Sequence, residues 1–361
     1  MTDLRELFRA EDLDVDDIWP EIHSRTEGRG AVAPVRRLSP RMAQPWRRVA
    51  IAAAALAIGA ASLAFLLPLH HDGSAPATPN ASWTAAELRG WIAYSSQGQI
   101  RVMDPTSQGL AGDAHVLFEP IQGAAWPLSW SPDGSSLLFV WSRPGDASDP
   151  TDATSLNVLH DDGSVQQLTE PTSDGSITVG SFAPDGTVLM STGQPGAGIE
   201  RLDPATGHRT SAVAGGAGWD GWPAAAPDGT IAFIHVAPDG FTSIMTADPD
   251  GAHERTIAPL PMSKDASGLS WSPDGSQLVA GVLTRANVPL VFLLRADGSG
   301  LHQLIDGSFP SWSPDGTHIA LDKQGALITI APDGTDPEGL GIRPGGSGIA
   351  GRVGPWNASR G

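Results

Sequence analysis

The chain has 361 residues, with 22 Lys and Arg against 40 Asp and Glu and a formal net charge of −18. A surface of that sign repels phosphate backbones, which excludes nucleic acid as a partner. Cysteine is absent, so disulfides, Cys-based zinc sites, a thiol nucleophile and a lipidated N-terminal Cys are excluded too.

Residues 1–48 read as a short cytoplasmic head and tether. Leu4, Leu7 and Phe8 share one helical face, and Val15, Ile18, Trp19 and Ile22 share another. Asp3 and Asp16 supply helix starts. A segment of about thirty residues cannot bury a stable core. Leu4, Leu7, Phe8, Ile18, Trp19 and Ile22 therefore form a stripe suited to docking on a cytoplasmic protein. A Gly-, Pro- and Arg-rich tether follows at 28–45.

Residues 49–69 carry no charge from Val49 to Leu69. At about 1.5 Å per residue, such a helix crosses the roughly 30 Å hydrocarbon core. Arg36, Arg37, Arg41, Arg47 and Arg48 precede it. The positive-inside bias then puts the N-terminus in the cytoplasm and everything downstream outside. The expectation is a single-pass protein of the cell membrane. Residues 70–88, rich in Ser, Ala, Pro and Thr, form an extended extracytoplasmic linker.

From 89 to 357 one phrase recurs: an apolar strand, a Pro-Asp-Gly turn, and a second apolar strand. The best copies are Trp130-Ser-Pro-Asp-Gly134, Trp271-Ser-Pro-Asp-Gly275 and Trp312-Ser-Pro-Asp-Gly316, with weaker ones at Phe182-Ala-Pro-Asp-Gly186 and Ala225-Ala-Pro-Asp-Gly229. Their spacing of 41 to 52 residues suits four-stranded propeller blades. Each copy continues into a third strand, a turn rich in Asp and Gly, and a fourth strand. The first unit has a second strand (Trp91–Tyr94), a third (Ile100–Met103) and a fourth (Val116–Phe118) but no phrase ahead of them. Near the other end, Val353-Gly-Pro-Trp-Asn357 resembles the missing opening. That segment is expected to supply the missing strand and close the ring, which leaves no open sheet edge. The fold class is all-β: a six-bladed propeller preceded by one transmembrane helix and a short helical head.

The repeated residues are fold builders. Pro presets φ, Asp bonds the backbone two residues on, and Gly tolerates positive φ. Trp130, Phe182, Trp271 and Trp312 are expected to pack between blades. Asp133, Asp185, Asp228, Asp274 and Asp315 are expected to build turns. An active site is needed once, whereas these recur in every unit.

Trp-Ser-Pro-Asp-Gly followed by an Asp-Gly hairpin and Leu168-Thr169 resembles the repeats of TolB-type propellers, and similar repeats occur in prolyl-oligopeptidase-like peptidases. The resemblance covers roughly 89–357. It implies the fold and, through TolB itself, a protein-binding role in the cell envelope. The layout of head, span and external propeller looks like anchored bacterial proteins.

No nucleophile elbow, His-Glu-x-x-His, P-loop or complete EF-hand loop occurs, and no cofactor or metal site is expected. Asp248-Pro-Asp-Gly251 reads as a hairpin. Departures from the repeat are the better clues. Blade four carries Trp219-Asp220-Gly221-Trp222, and blade two has a long insertion, 141–152, opened by Trp141 and Arg143. Trp141, Arg143, Trp219, Asp220 and Trp222 are thus the candidate binding residues. The expected function is a membrane-anchored extracytoplasmic binding or scaffold module, not an enzyme. A narrower expectation is a transmembrane regulator coupled to a cytoplasmic partner such as a sigma factor. The alternative is a propeller hydrolase or lyase using converging His and Asp groups.

Overall fold

The computed structural model describes residues 82–106, 114–145, 152–172, 179–192, 194–260, 263–340 and 353–356. The predicted head (1–48), span (49–69) and most of the linker lie outside those residues, as do the docking candidates Leu4, Leu7, Phe8, Ile18, Trp19 and Ile22. Among the described residues no helix is long and apolar enough to cross a membrane.

Six four-stranded antiparallel sheets make the ring. Blades two to six each use four consecutive strands, with the first innermost. Blade four, for example, runs Trp219–Ala225, Ile231–Val236, Thr242–Ala247 and Arg255–Leu260. Blade one is composite. Its second to fourth strands are Ile92–Ser96, Gln99–Met103 and His115–Phe118, and Val353–Trp356 completes it. Ile92 pairs with Trp356 and Tyr94 with Val353. The expected closure is therefore present, and strand limits follow the sequence reading except where strands run longer, as in Ala124–Trp130, Ser136–Arg143 and Ser263–Trp271.

The core lies between the blades. Six apolar clusters are present among the described residues, and each joins two neighbouring sheets. Trp130 is buried against blade one through Ala93, Ile100 and Val102. Trp312 is buried against Val279, Val291 and Leu293 of blade five. Phe182 and Trp271 pack likewise on the preceding blades, and the Trp271 indole donates to Ala224 O of blade four at 3.2 Å. Alternation along a strand explains this sharing, because each central strand points successive side chains at opposite neighbours. Ala93 faces blade two while Ile92 and Tyr94 face blade six.

The Pro-Asp-Gly turns behave as their chemistry requires. Asp133, Asp185, Asp228, Asp274 and Asp315 each accept, through Oδ1, the N–H two residues on, at 2.9–3.1 Å. The following glycines have φ between 71° and 89°, a region costly for any residue with a Cβ. In the three best copies a serine adds to the turn. Ser131, Ser272 and Ser313 donate to that Asp and accept the N–H five residues on. The Ser272 hydroxyl, with the N–H and hydroxyl of Ser276, holds the Asp274 carboxyl down to about 2. Asp248-Pro-Asp-Gly251 forms the third hairpin of blade four, closed by Gly251 N–H to Asp248 O.

Candidate channel-mouth site

The innermost strands of blades two to six surround a cavity of about 280 Å³ on the ring axis. Every described residue lining it is neutral. Trp222 and Phe309 supply aromatic faces, and Ser129, Ser181, Ser267, Ser270 and Ser311 supply hydroxyls. Among the described residues no group of three or more His, Asp and Glu could hold a metal ion.

Local backbone irregularity builds this lining. In blade four the pairing register shifts between Gly221 and Ala224, and in blade six between Ser308 and Ser311. Each shift is a β-bulge, a device that bends a strand and re-aims a side chain. The residues in the two bulges are Trp222-Pro223 and Phe309-Pro310. Pro fits there because an innermost strand has one unpaired edge and needs no N–H on that side. Trp222 has φ 52° and Phe309 φ 54°. A bulky side chain in this left-handed region costs about 1–2 kcal/mol, and such strain concentrates at functional sites. The two ring centroids lie 6.4 Å apart with planes at 55°, forming an open corner. Between them in ring order is Gly268 of blade five, at φ 139°, where an added Cβ would stand 3.9 Å from Trp222 Cε3.

Serine hydroxyls on the inner strands stitch blades together. Ser129 Oγ accepts the N–H of Phe182 in the next blade, and Ser270 Oγ accepts that of Trp312, both at 3.1 Å. Ser267 Oγ accepts the N–H of Phe309 at 3.2 Å. Ser181 occupies the equivalent position in blade three, yet its buried Oγ has no hydrogen-bond partner.

Two buried carboxylates flank the corner. Asp220, 5% exposed, pairs across strands with His235, whose Nδ1 lies 2.7 Å from Oδ1. Its own carbonyl accepts the Ser191 hydroxyl. Asp322, 6% exposed, is opposite Ser308 in blade six. Its Oδ1 accepts the Gly325 N–H at 3.1 Å, but Oδ2 has no partner. Burial raises its pKa against that single hydrogen bond.

The predicted site residues divide. Trp222 lines the cavity and Asp220 lies two residues before it. Trp219 is half-buried with its ring over Gly221, where a Cβ would collide with the indole. Trp141 and Arg143 are not loop residues. The second strand of blade two extends over Ser136–Arg143, so the insertion begins only at Pro144. The ladder continues because Trp141 pairs with both Ala125 and Ser155. Its ring contacts Phe118 edge-on at 5.5 Å, its indole donates to Gln122 O, and Arg143 lies 4.1 Å over it. The pair therefore packs on the seam between blades one and two. Phe309 went unnoticed in the sequence. The signal was an aromatic-Pro pair at matching offsets before Ala224-Ala225 and Ser311-Trp312.

No family model and no curated protein matches this chain. Solved structures do. TolB from Acinetobacter baumannii aligns over 74% of this chain and 67% of its own at 18% identity, with a TM-score of 0.55. A structure of the nidogen/laminin complex aligns over 73% of this chain and 96% of its own at 15% identity and TM-score 0.54. At such identities the likeness concerns architecture alone: the described chain is a six-bladed β-propeller of TolB-like fold.

Proposed function

We propose that this protein is a membrane-anchored extracytoplasmic propeller that works as a binding module, with the channel mouth as its binding site. The observation that carries this reading is the pair of strained aromatics, Trp222 and Phe309, both in left-handed backbone and both facing one neutral cavity. Trp222 belongs to none of the core clusters and Phe309 only borders the one between blades one and six, and a ligand-facing corner gives the strain a purpose. The uncharged stretch 49–69 with its preceding arginines supports the anchor, and the apolar stripe of the head supports a cytoplasmic partner such as a sigma factor.

The test is to replace Phe309 by the photo-cross-linker p-benzoylphenylalanine in the full chain, in its native membranes, with exposed Thr210 on the outermost strand of blade three as control. Adducts at 309 and none at 210 support the mouth as the site. Equal labelling at both positions, or none at 309, rejects it.

A further inference from the structure

Resting on the binding reading above, we propose that the mouth takes one uncharged sugar ring of an oligosaccharide. Trp222 and Phe309 are its stacking faces and Ser181 its hydrogen-bonding contact.

Three observations narrow the ligand class. No ionisable residue is among the described lining, although the chain as a whole carries a net charge of −18. An anionic ligand group would be stripped of water there without a counter-charge and beside the buried Asp220 and Asp322, which is strongly unfavourable. Second, the cavity of about 280 Å³ sits at the small end of ligand pockets, which suits a single ring better than an extended set of side chains. Third, Ser181 is a lining residue of this cavity, and its buried hydroxyl has no partner. In blades two and five the matching hydroxyl bonds the aromatic residue of the next blade. In blade four the residue at that place is Ala225, and its backbone N–H makes no such bond to the Ser181 hydroxyl.

A sugar ring answers all three observations at once. Its C–H face suits an aromatic ring, and its rim of hydroxyls both donates and accepts, as a serine hydroxyl does. A purely apolar group would cover Trp222 and Phe309 but leave Ser181 unpaired. The 55° corner lets each aromatic present one face while Gly268 keeps the space between them clear of side chain.

The experiment uses the full chain in lipid nanodiscs, free of sugar-headed detergents. Three neutral trisaccharides (glucose-, mannose- and N-acetylglucosamine-based) are titrated while tryptophan emission is followed. A proline-rich decapeptide and a galacturonic acid trisaccharide serve as rivals. At least one neutral trisaccharide should bind saturably. Its affinity should fall about tenfold or more in both Ser181→Ala and Trp222→Gly, the size expected for losing one buried polar or stacking contact. Trp222→Phe should restore most of it, and neither loss variant should melt earlier than wild type. No saturation by any neutral trisaccharide up to about 10 mM, preferential binding of either rival, or unchanged affinity in Ser181→Ala overturns the proposal. If Phe309 cross-links a partner while all sugars fail, the mouth remains the site and only the sugar assignment falls.

Discussion

The two ends of this ring are built on opposite plans. At one end the Pro-Asp-Gly turns repeat blade after blade, each with the same Asp-to-N–H bond and the same left-handed glycine. Toward the other end the inner strands of blades two, four, five and six bulge, and Trp222 and Phe309 take the left-handed backbone. In antiparallel blades, second-to-third turns and blade-to-blade connections fall at this second end. It therefore also carries the exposed large hydrophobics Ile121 (54%), Phe241 (58%) and Val288 (42%). Repetition marks what every blade needs in order to fold. Deviation marks what the molecule needs once.

That contrast breaks first at blade one, which has no Pro-Asp-Gly turn of its own and borrows its inner strand. Deleting 353–361 strips Ile92 and Tyr94 of their partners and leaves an open edge. The expected outcome is loss of a cooperative melt and aggregation on size-exclusion chromatography. A truncated chain that melts like wild type would show the closure to be dispensable.

A single turn matters less. Asp274→Ala removes the bonds to Ser272 and Ser276 and should cost about 1–2 kcal/mol, or a few degrees in Tm. Because the folded carboxyl is held at about 2, below its ordinary 3.8, its ionised form favours the native state. That contribution is fully present above pH 3.8 and disappears as pH falls through about 2. Urea melts of wild type and variant should therefore converge toward that pH.

The mouth end sets up the opposite sign. Burial raises the Asp322 pKa, so its ionisation opposes folding. The penalty is absent below 3.8 and fully developed once pH exceeds the raised folded value. No cation of the described residues is among the causes acting on it. The groups near this seam are Tyr94, whose pKa burial raises, its neighbour Arg101, and Lys323 on the same strand. Asp322→Asn should raise neutral-pH stability by about 1 kcal/mol, and the gain should vanish near pH 4. A loss at neutral pH would mean that the carboxylate is satisfied in solution.

Turn chemistry was legible because it is local. A Pro-Asp-Gly triplet fixes its own dihedrals and hydrogen bonds, so five copies and one orphaned Trp356 were enough to count blades and close the ring. The aromatics before four of the five turns, Trp130, Phe182, Trp271 and Trp312, were legible as inter-blade packing because they recur at one offset. The bulges were not. They depend on which residue faces which across a strand pair, and Trp222 and Phe309 meet only when blades four and six are both in place. The Asp220–His235 pair likewise exists only through register. Trp141 and Arg143 were misplaced because a Pro-, Gly- and Asp-rich insertion looks like loop from its first residue. The ladder in fact persists until backbone pairing ends at Arg143.

Joining Val353–Trp356 to Ile92–Ser96 imposes an order on biogenesis. A nascent chain can assemble blades two to six one after another as they emerge. Blade one stays three-stranded until the very last of these segments arrives. Through that interval its naked flank is free to capture any extended strand nearby, including one from a neighbouring copy. Folding success should thus hinge on how quickly synthesis finishes, rather than on how fast any single blade collapses.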